Sequence, residues 1–561
     1  MGGLFLMKRK FTWLLSLTLV LSVFLAACSG DDKGSKGSDK SAENKDVKQE
    51  LNLINGDAIP SMDPSKATDE YGFQFLGATM EGLYRLGKDA KIEKGIAETH
   101  EVSKDGLTWT FKLRQDAKWS NGDPVTANDF VYAWQRAVNP ETGSEYGPYM
   151  MGGVIKNATE ISKGEKKIEE LGVKAEDDYT LVVELAHPIA YFESLTTFGT
   201  FLPLNQKFVE EKGDKFATSS DTLLSNGPFV LENWESASQK WNLAKNDTYW
   251  DADTVKLEKI NFVVVKDNQT MVDLYQKGEV DRAGLSSDYV DQFSSDPDYV
   301  TQPDNSVFYF KMNQTRNEVL KNKNLRLAIS RAFDKEALVN TILNNGSSVA
   351  NGLVPADFTP MPDGSGDFRK VSGDLVTYDV KAAQEYFEKA KKELGKDTIE
   401  VELLGDDSES STTMNEYLAN QLQTNLPGLK VNFKKVPFKQ RIALDTAMDY
   451  DLQVAGWGPD YLDPYTFLSL WITDGGNNQM GYSNKEYDKL LADTATTLAT
   501  DNDARYKNFL EAEKLLFEDG AIAPIFQRGR AFLSSPKIQN MIVNPFGPTY
   551  EWKWTSVGSG K

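Results

Sequence analysis

Apolar and polar side chains alternate through Leu107–Arg114, where Leu107, Trp109, Phe111 and Leu113 stand against Thr108, Thr110, Lys112 and Arg114. A period of two predicts a half-buried strand. The turn pair Asn121-Gly122 follows. Thr126 and Asp129 then stand at capping-box spacing, ahead of Phe130, Ala133, Trp134 and Ala137 at i, i+3, i+4, i+7. The segment therefore predicts strand, turn and capped helix. Leu181, Val183 and Leu185, behind Asp177-Asp178, predict a further strand. The second half reads as open α/β. Asn324 is expected to cap a helix from Leu325 to about Leu343. Asp379 is expected to cap another, with Val380, Ala383, Phe387, Ala390 and Leu394 on one face and Gly395 at its stop. Strand-like Ile399–Leu404, a helix around Met414–Gln423 and strand-like Leu429–Val436 form a βαβ pattern.

The N-terminus has a different character. Lys8-Arg9-Lys10 precedes the apolar run Phe11 to Ala27, which Thr12, Ser16, Thr18 and Ser22 interrupt. That run is shorter than the about 20 apolar residues of a spanning helix and has the shape of a secretory signal. Leu25-Ala26-Ala27-Cys28 closes it and resembles a bacterial lipobox, in which the cysteine is lipidated after cleavage. Residues 1–28 are thus read as a lipoprotein signal peptide, with either Met1 or Met7 as the start. Two acyl chains on Cys28 would anchor the chain stably. Ser29 to Glu50 is Ser/Gly/Asp/Lys-rich with almost no apolar side chains, so residues 29–48 are expected to be a flexible leash. The expected location is the outer face of the cell membrane, on a lipid tether.

Composition removes most other classes. The 561 residues carry 62 Lys+Arg against 83 Asp+Glu, a net charge of −21. That balance argues against nucleic acid, whose phosphates call for clustered cations. One cysteine excludes a disulfide framework, and two histidines, His100 and His187, make a multi-histidine metal site improbable. No G-x-S-x-G elbow and no Gly-Lys-Ser/Thr P-loop occurs. His100-Glu101 starts like a zincin motif, but Lys104 stands where the second histidine belongs. No catalytic residue, metal ligand or cofactor site is assigned. A carboxylate-pair hydrolase stays open as a remote alternative, because the separation of two acids is not written in sequence.

Aromatic residues, 11% of the chain, give the positive signal. Gly456-Trp457-Gly458-Pro459-Asp460-Tyr461 directly follows strand-like Leu452–Ala455. This puts the loop at a strand's carboxyl end, where open α/β sheets place ligands. Gly456 and Gly458 would let a ligand backbone approach closely. Trp457 and Tyr461 can wall a pocket, and Asp460 offers one negative charge.

The segment Ala117–Phe130 (Ala-Lys-Trp-Ser-Asn-Gly-Asp-Pro-Val-Thr-Ala-Asn-Asp-Phe) resembles the signature of extracellular solute-binding proteins of the peptide/nickel class, the capture components of ABC importers. Leu53–Pro64, Glu81-Gly82-Leu83, Ser225–Phe229, Phe310–Asn313, Asn324–Asp334 and Trp457–Asp463 continue the resemblance in order. Within the class it is closest to oligopeptide-binding lipoproteins of Gram-positive bacteria. The resemblance implies an α/β fold of two lobes, of the class II periplasmic-binding-protein type, with an inserted domain and a ligand cleft between the lobes. Mapped here, lobe I takes 49–80, 200–301 and 527–561, the inserted domain 81–199, and the other lobe 302–526. The Ala117–Phe130 signature then falls in the insert as scaffold.

The same resemblance implies an extended peptide gripped by its main chain, with Asp460 pairing with its α-ammonium. Tyr146 matches a residue near the ligand's N-terminus. Asn226 and Gly227 match a main-chain contact strand, and the loop carrying Asp69, Glu70 and Tyr71 matches another, although Thr68–Tyr71 departs from the family pattern. Implied partners are an oligopeptide, a permease and separate ATPase subunits, with the chain itself a monomer and no nucleic acid involved. A peptide pheromone, a dipeptide, haem, a nickel complex or an oligosaccharide are the alternative ligands within the class.

Overall fold

The computed structural model describes residues 47–189 and 191–560. The stretch read as a signal peptide, Cys28 and nearly all of the polar stretch read as a leash lie outside the described residues. Val47 already packs against the core and Glu50 opens the first strand, so the last residues of that polar stretch belong to the folded body.

One eleven-stranded sheet organises the body. Its main strands, in chain order, are β1 Glu50–Asn55, β2 Phe229–Glu232, β3 Lys240–Lys245, β4 Lys259–Val264, β5 Arg282–Leu285, β6 Tyr299–Met312, β7 Ile399–Asp406, β8 Leu429–Val436, β9 Leu452–Trp457 and β10 Ile522–Ser534. In space they run β8-β7-β9-β6-β10-β5-β1-β4-β3-β2, with the short Ser348–Val349 also on β10. Only β6 and β10 reach into both halves. Tyr299–Pro303 pairs with the end of β10, beside β5, whereas Val307–Lys311 pairs with the start of β10 and Val307–Met312 with β9. The register shifts between Pro303 and Val307, where the strands cross from one lobe to the other. This is the two-lobed α/β architecture that the resemblance implied.

Strand periodicity builds the second lobe's cores. Phe310 and Met312 point into one buried cluster with Leu403, Leu418 and Leu452, while Val307 and Tyr309 point into another with Phe467 and Leu516. Parallel β7 and β8 flank a helix at Glu409–Asn425, as the βαβ pattern predicts. The helix Val380–Leu394 is capped by Asp379, whose side chain accepts the Ala382 N–H, and stops at Gly395 in the left-handed conformation, φ 64°.

Within 81–199 the strands Ala97–Val102, Thr108–Leu113, Thr180–Glu184 and Val173–Asp177 form a separate antiparallel sheet. The helix Ala127–Val138 packs beside it, and its Asp129 carboxylate accepts the Thr126 N–H at 2.8 Å. Trp119 and Trp134 are both buried, the latter donating its indole N–H to Phe201 O at 3.0 Å.

One expectation fails. The residue that caps the helix near 324 is Asn322, which accepts the Leu325 N–H at 3.0 Å; Asn324 instead donates to Glu393 from the exposed side. The helix ends at Ile329, and the chain re-enters helix at Lys335–Ala337, followed by the wide turns of Leu338–Leu343. Asp334 restarts it by accepting the Ala337 N–H, a competing cap inside an otherwise continuous apolar pattern.

Because β6 carries both lobes, its core positions are critical. Phe310→Ala, at a fully buried site, is expected to lower the unfolding free energy by about 3–5 kcal/mol. A urea midpoint matching the parent's would contradict this role.

Candidate functional site

Strand β9 ends in the Gly-Trp-Gly-Pro-Asp turn, beside the point where β6 leaves one lobe for the other. The glycines are dictated by neighbours within the protein. A Cβ on Gly456 would stand 2.6 Å from the Phe308 ring, and one on Gly458 would stand 3.0 Å from Ser306 Oγ. Both positions line the cleft.

Trp457 crosses the cleft to meet the inserted domain. Its ring stacks on Tyr146 with centroids 6.1 Å apart and meets Tyr149 edge-on at 5.7 Å; Tyr146 stacks in turn on Phe198 at 5.7 Å. Tyr461 stacks on Tyr191 at 5.2 Å, nearly parallel. A cavity of about 570 Å³ remains between the lobes. Asp69, Glu70, Tyr146, Gly456, Trp457, Gly458 and Asp460 all line it.

Asp460 is the electrostatic anomaly of the cavity. It is 6% exposed, its backbone N–H donates to Thr466 Oγ1 at 3.1 Å, and its Oδ2 is buried with no hydrogen-bond partner in the protein. Burial drives its carboxyl well above the usual range, opposed only by the Tyr149 hydroxyl. The nearby Asp463 differs, because it is paired with Arg505 at 3.1 Å. A buried carboxylate without a partner is costly, and no cation among the described residues pairs with this one.

A charged quartet sits at the lobe crossing. Arg528 and Arg530 each hold both Glu70 and Asp304, at 2.9–3.1 Å. Burial disfavours ionisation of Asp304, but the two guanidinium groups overcome it and hold the carboxyl far below its usual range.

Four of the sequence-derived residues, Asn226, Gly227, Tyr71 and Tyr461, lie outside the cavity lining. Asn226 is buried and uses its amide on the backbone of Glu81, accepting the N–H and donating to the C=O at 3.0 Å each. Gly227 donates to Thr79 O, and a Cβ there would strike the Met80 backbone at 2.7 Å. These two residues tie 226–227 to 79–81 and lie outside the cavity lining. Tyr71 turns from the cavity to pack edge-on against Phe438 at 5.4 Å, joining the two lobes. Conversely, the sequence reading missed Tyr309, Lys311, Arg441, Trp471, Arg528 and the wall at 543–549, all of which line the cavity. Lys311, a cation between Phe310 and Met312 in an apolar strand, was the one visible signal.

A family model described as bacterial extracellular solute-binding proteins, family 5 Middle, matches residues 91–479. The chain belongs to this family. It is 34% identical to a dipeptide-binding protein of Lactococcus lactis, over 96% of this chain and 98% of that protein. The structure of Listeria monocytogenes OppA bound to peptide is 48% identical, covering 91% of this chain and 99% of that one, with a TM-score of 0.88. Two structures of the Escherichia coli murein tripeptide-binding protein MppA, both 28% identical and covering 91% of this chain, report on lobe position. The TM-score is 0.80 for one, over 98% of its length, and 0.59 for the unliganded open form, over 97%. The aromatic contacts across the cleft agree with that ranking. The lobes of this family member are drawn together.

Asp69 gives a pH-dependent test. It caps the helix Glu70–Thr79, its Oδ1 accepting the N–H groups of Tyr71 and Gly72 at 3.0 Å, while its Oδ2 is buried without a partner. Burial pushes its carboxyl from 3.8 up to about 6, against those two N–H groups and with help from Glu70. A raised carboxyl stabilises the fold at low pH, and that stability is lost as pH climbs from 3.8 to about 6. Asp69→Asn keeps a capping side chain and cannot ionise. Its stability relative to the parent should rise from near zero at pH 4 to as much as about 3 kcal/mol at pH 7. Denaturant titrations at both pH values check this, and a constant difference would contradict it.

Proposed function

We propose that this protein captures oligopeptides in extended conformation between its two lobes and hands them to an ABC importer made of a permease and separate ATPase subunits. The carrying observation is Asp460, a buried carboxylate with an unpartnered oxygen facing a cavity between the lobes. The α-ammonium of a peptide supplies the missing charge. Main-chain hydrogen bonding supplies affinity with little sequence readout, in the manner of an added strand, and water in the roomier parts of the cavity accommodates differing side chains. The peptide-bound Listeria structure and the oligopeptide-binding relatives support a peptide ligand over haem or a nickel complex. The protein binds and releases its ligand unchanged.

On this reading the lobe boundaries fall where β6 and β10 cross, near 301/302 and 526/527, with the insert at 81–199. The same proposal includes a lipid on Cys28 that holds a monomer at the outer face of the membrane.

Asp460→Ala should weaken peptide binding by about 3–5 kcal/mol, or about a hundredfold to a few thousandfold. N-acetylation of the peptide should cost a similar factor; equal affinity of capped and free peptides in calorimetry would remove Asp460 as the anchor. Separately, saturating peptide should hold the radius of gyration in solution scattering at the value of the closed form. A profile that ignores peptide while the ligand-free protein is open would contradict capture by closure.

A further inference from the structure

One corner of the cavity is built entirely within the second lobe, from β6, the helix Phe438–Thr446 and the segment 470–479. Trp471, a cavity-lining residue, is 1% exposed, and its indole N–H is buried with no acceptor in the protein. Its ring packs edge-on against Tyr309, with centroids 5.3 Å apart at 80°. Asn477 also lines the cavity, and its side-chain amide nitrogen is likewise buried without an acceptor. Arg441 completes the corner. It donates to Gln453 Oε1 at 2.8 Å and, among the described residues, forms no ion pair with a carboxylate.

The acids nearby are already engaged. Lys311 holds Asp445 at 2.7 Å and also donates to Gln479 at 2.8 Å. Glu145, reaching over from the inserted domain, accepts from Thr446 at 3.0 Å and from Gln479 at 2.9 Å. The buried groups left unmet in this corner, on Trp471 and Asn477, are both donors, and the half-buried Arg441 adds a cation. Unmet buried donors cost about 1–3 kcal/mol each, which only an incoming acceptor relieves.

The strand register sets the distance. Lys311 pairs with Gln453, and Val307 pairs with Trp457. Four residues of strand separate the two levels, about 13 Å at 3.3 Å per residue. An extended peptide that starts beside the Trp457 end of β9 and runs along the strand would present its fourth or fifth residue here.

We propose that Trp471, Asn477 and Arg441 form a subsite for a carboxylate or carboxamide oxygen of the peptide, about four residues on from its N-terminus. The proposal rests on the reading of Asp460 as the ammonium anchor. The oxygen can come from an Asp, Glu, Asn or Gln side chain, or from the terminal carboxylate of a short peptide.

The test uses the purified protein and alanine-based hexapeptides with free N-termini, carrying Glu, Gln, Leu or Lys at one of positions 3 to 6. Alanine tetra- and pentapeptides with free or amidated C-termini form a second set. Calorimetry should show Glu and Gln bound at least tenfold tighter than Leu at one position, which assigns the side chain. Alternatively, amidation should cost at least tenfold at one length, which assigns the terminus. Either advantage should shrink below threefold in Trp471→Phe and in Arg441→Gln. An unchanged denaturant midpoint reports that each variant is folded, and Asn477→Ala serves if Trp471→Phe fails this control. Flat responses in both peptide sets, or an advantage that survives both variants, would overturn the subsite. N-acetylation of the same hexapeptides keeps the two readings apart. If acetylation still abolishes binding while the scans are flat, the subsite alone is wrong; if acetylation is harmless, the anchor is wrong as well.

Discussion

A carboxylate removed from water needs a positive partner, and at Asp460 the chain does not provide one. Several neighbours in the turn are satisfied internally, although the Trp457 indole N–H is not: Pro459 O accepts the Gly547 N–H at 2.8 Å, Asp463 has Arg505, and Tyr461 stacks on Tyr191. The contrast between Asp460 and Asp463, three residues apart, separates an acid that holds the fold together from one reserved for something else. The same polar accounting, applied around the cavity, finds the donors of Trp471 and Asn477. Unmet groups describe the complement of a ligand more directly than the shape of the space does.

For such a charge to be both reachable and dry, two walls must part and meet again. The fold arranges this by letting only β6 and β10 span the lobes, while Tyr146, Tyr149 and Tyr191 of the insert meet Trp457, Thr466 and Tyr461 across the gap. The Glu70–Arg528–Asp304–Arg530 quartet sits at the crossing and ties the first lobe's helix to the spanning strands. Charges in mutual contact at this point keep the pivot compact without adding apolar surface that would resist opening.

Local pattern made much of the scaffold legible. Thr126 with Asp129, Asp379 with Gly395 and the βαβ of 399–436 are short-range signals whose cause and effect lie within one element or its neighbour. The misplaced cap at Asn324 shows the limit: Asn322 and Asp334 are equally good caps, and only packing chooses among them. In the site, Asp460 and Trp457 were readable because glycine, aromatic and acid crowd one turn. Trp471, Arg441 and the wall at 543–549 were not, because what makes them cavity residues is contact with segments far away in sequence. The side chain of Asn226 bridges the backbone groups of Glu81, and in sequence such an amide looks the same as one that greets a ligand.

The position of β10 has a consequence for how the chain is made. Residues 522–534 lie in the middle of the sheet, between β6 and β5, and Gln49 bonds to Val557 across almost the whole sequence. The lobe begun by the first strand stays unfinished until the final forty residues have emerged. Neither lobe can therefore complete its share of the central sheet until β10 has been made, whereas the sheet within 81–199 is closed in its own segment. Contacts this distant are slow to form, so folding should be governed by the arrival of the tail.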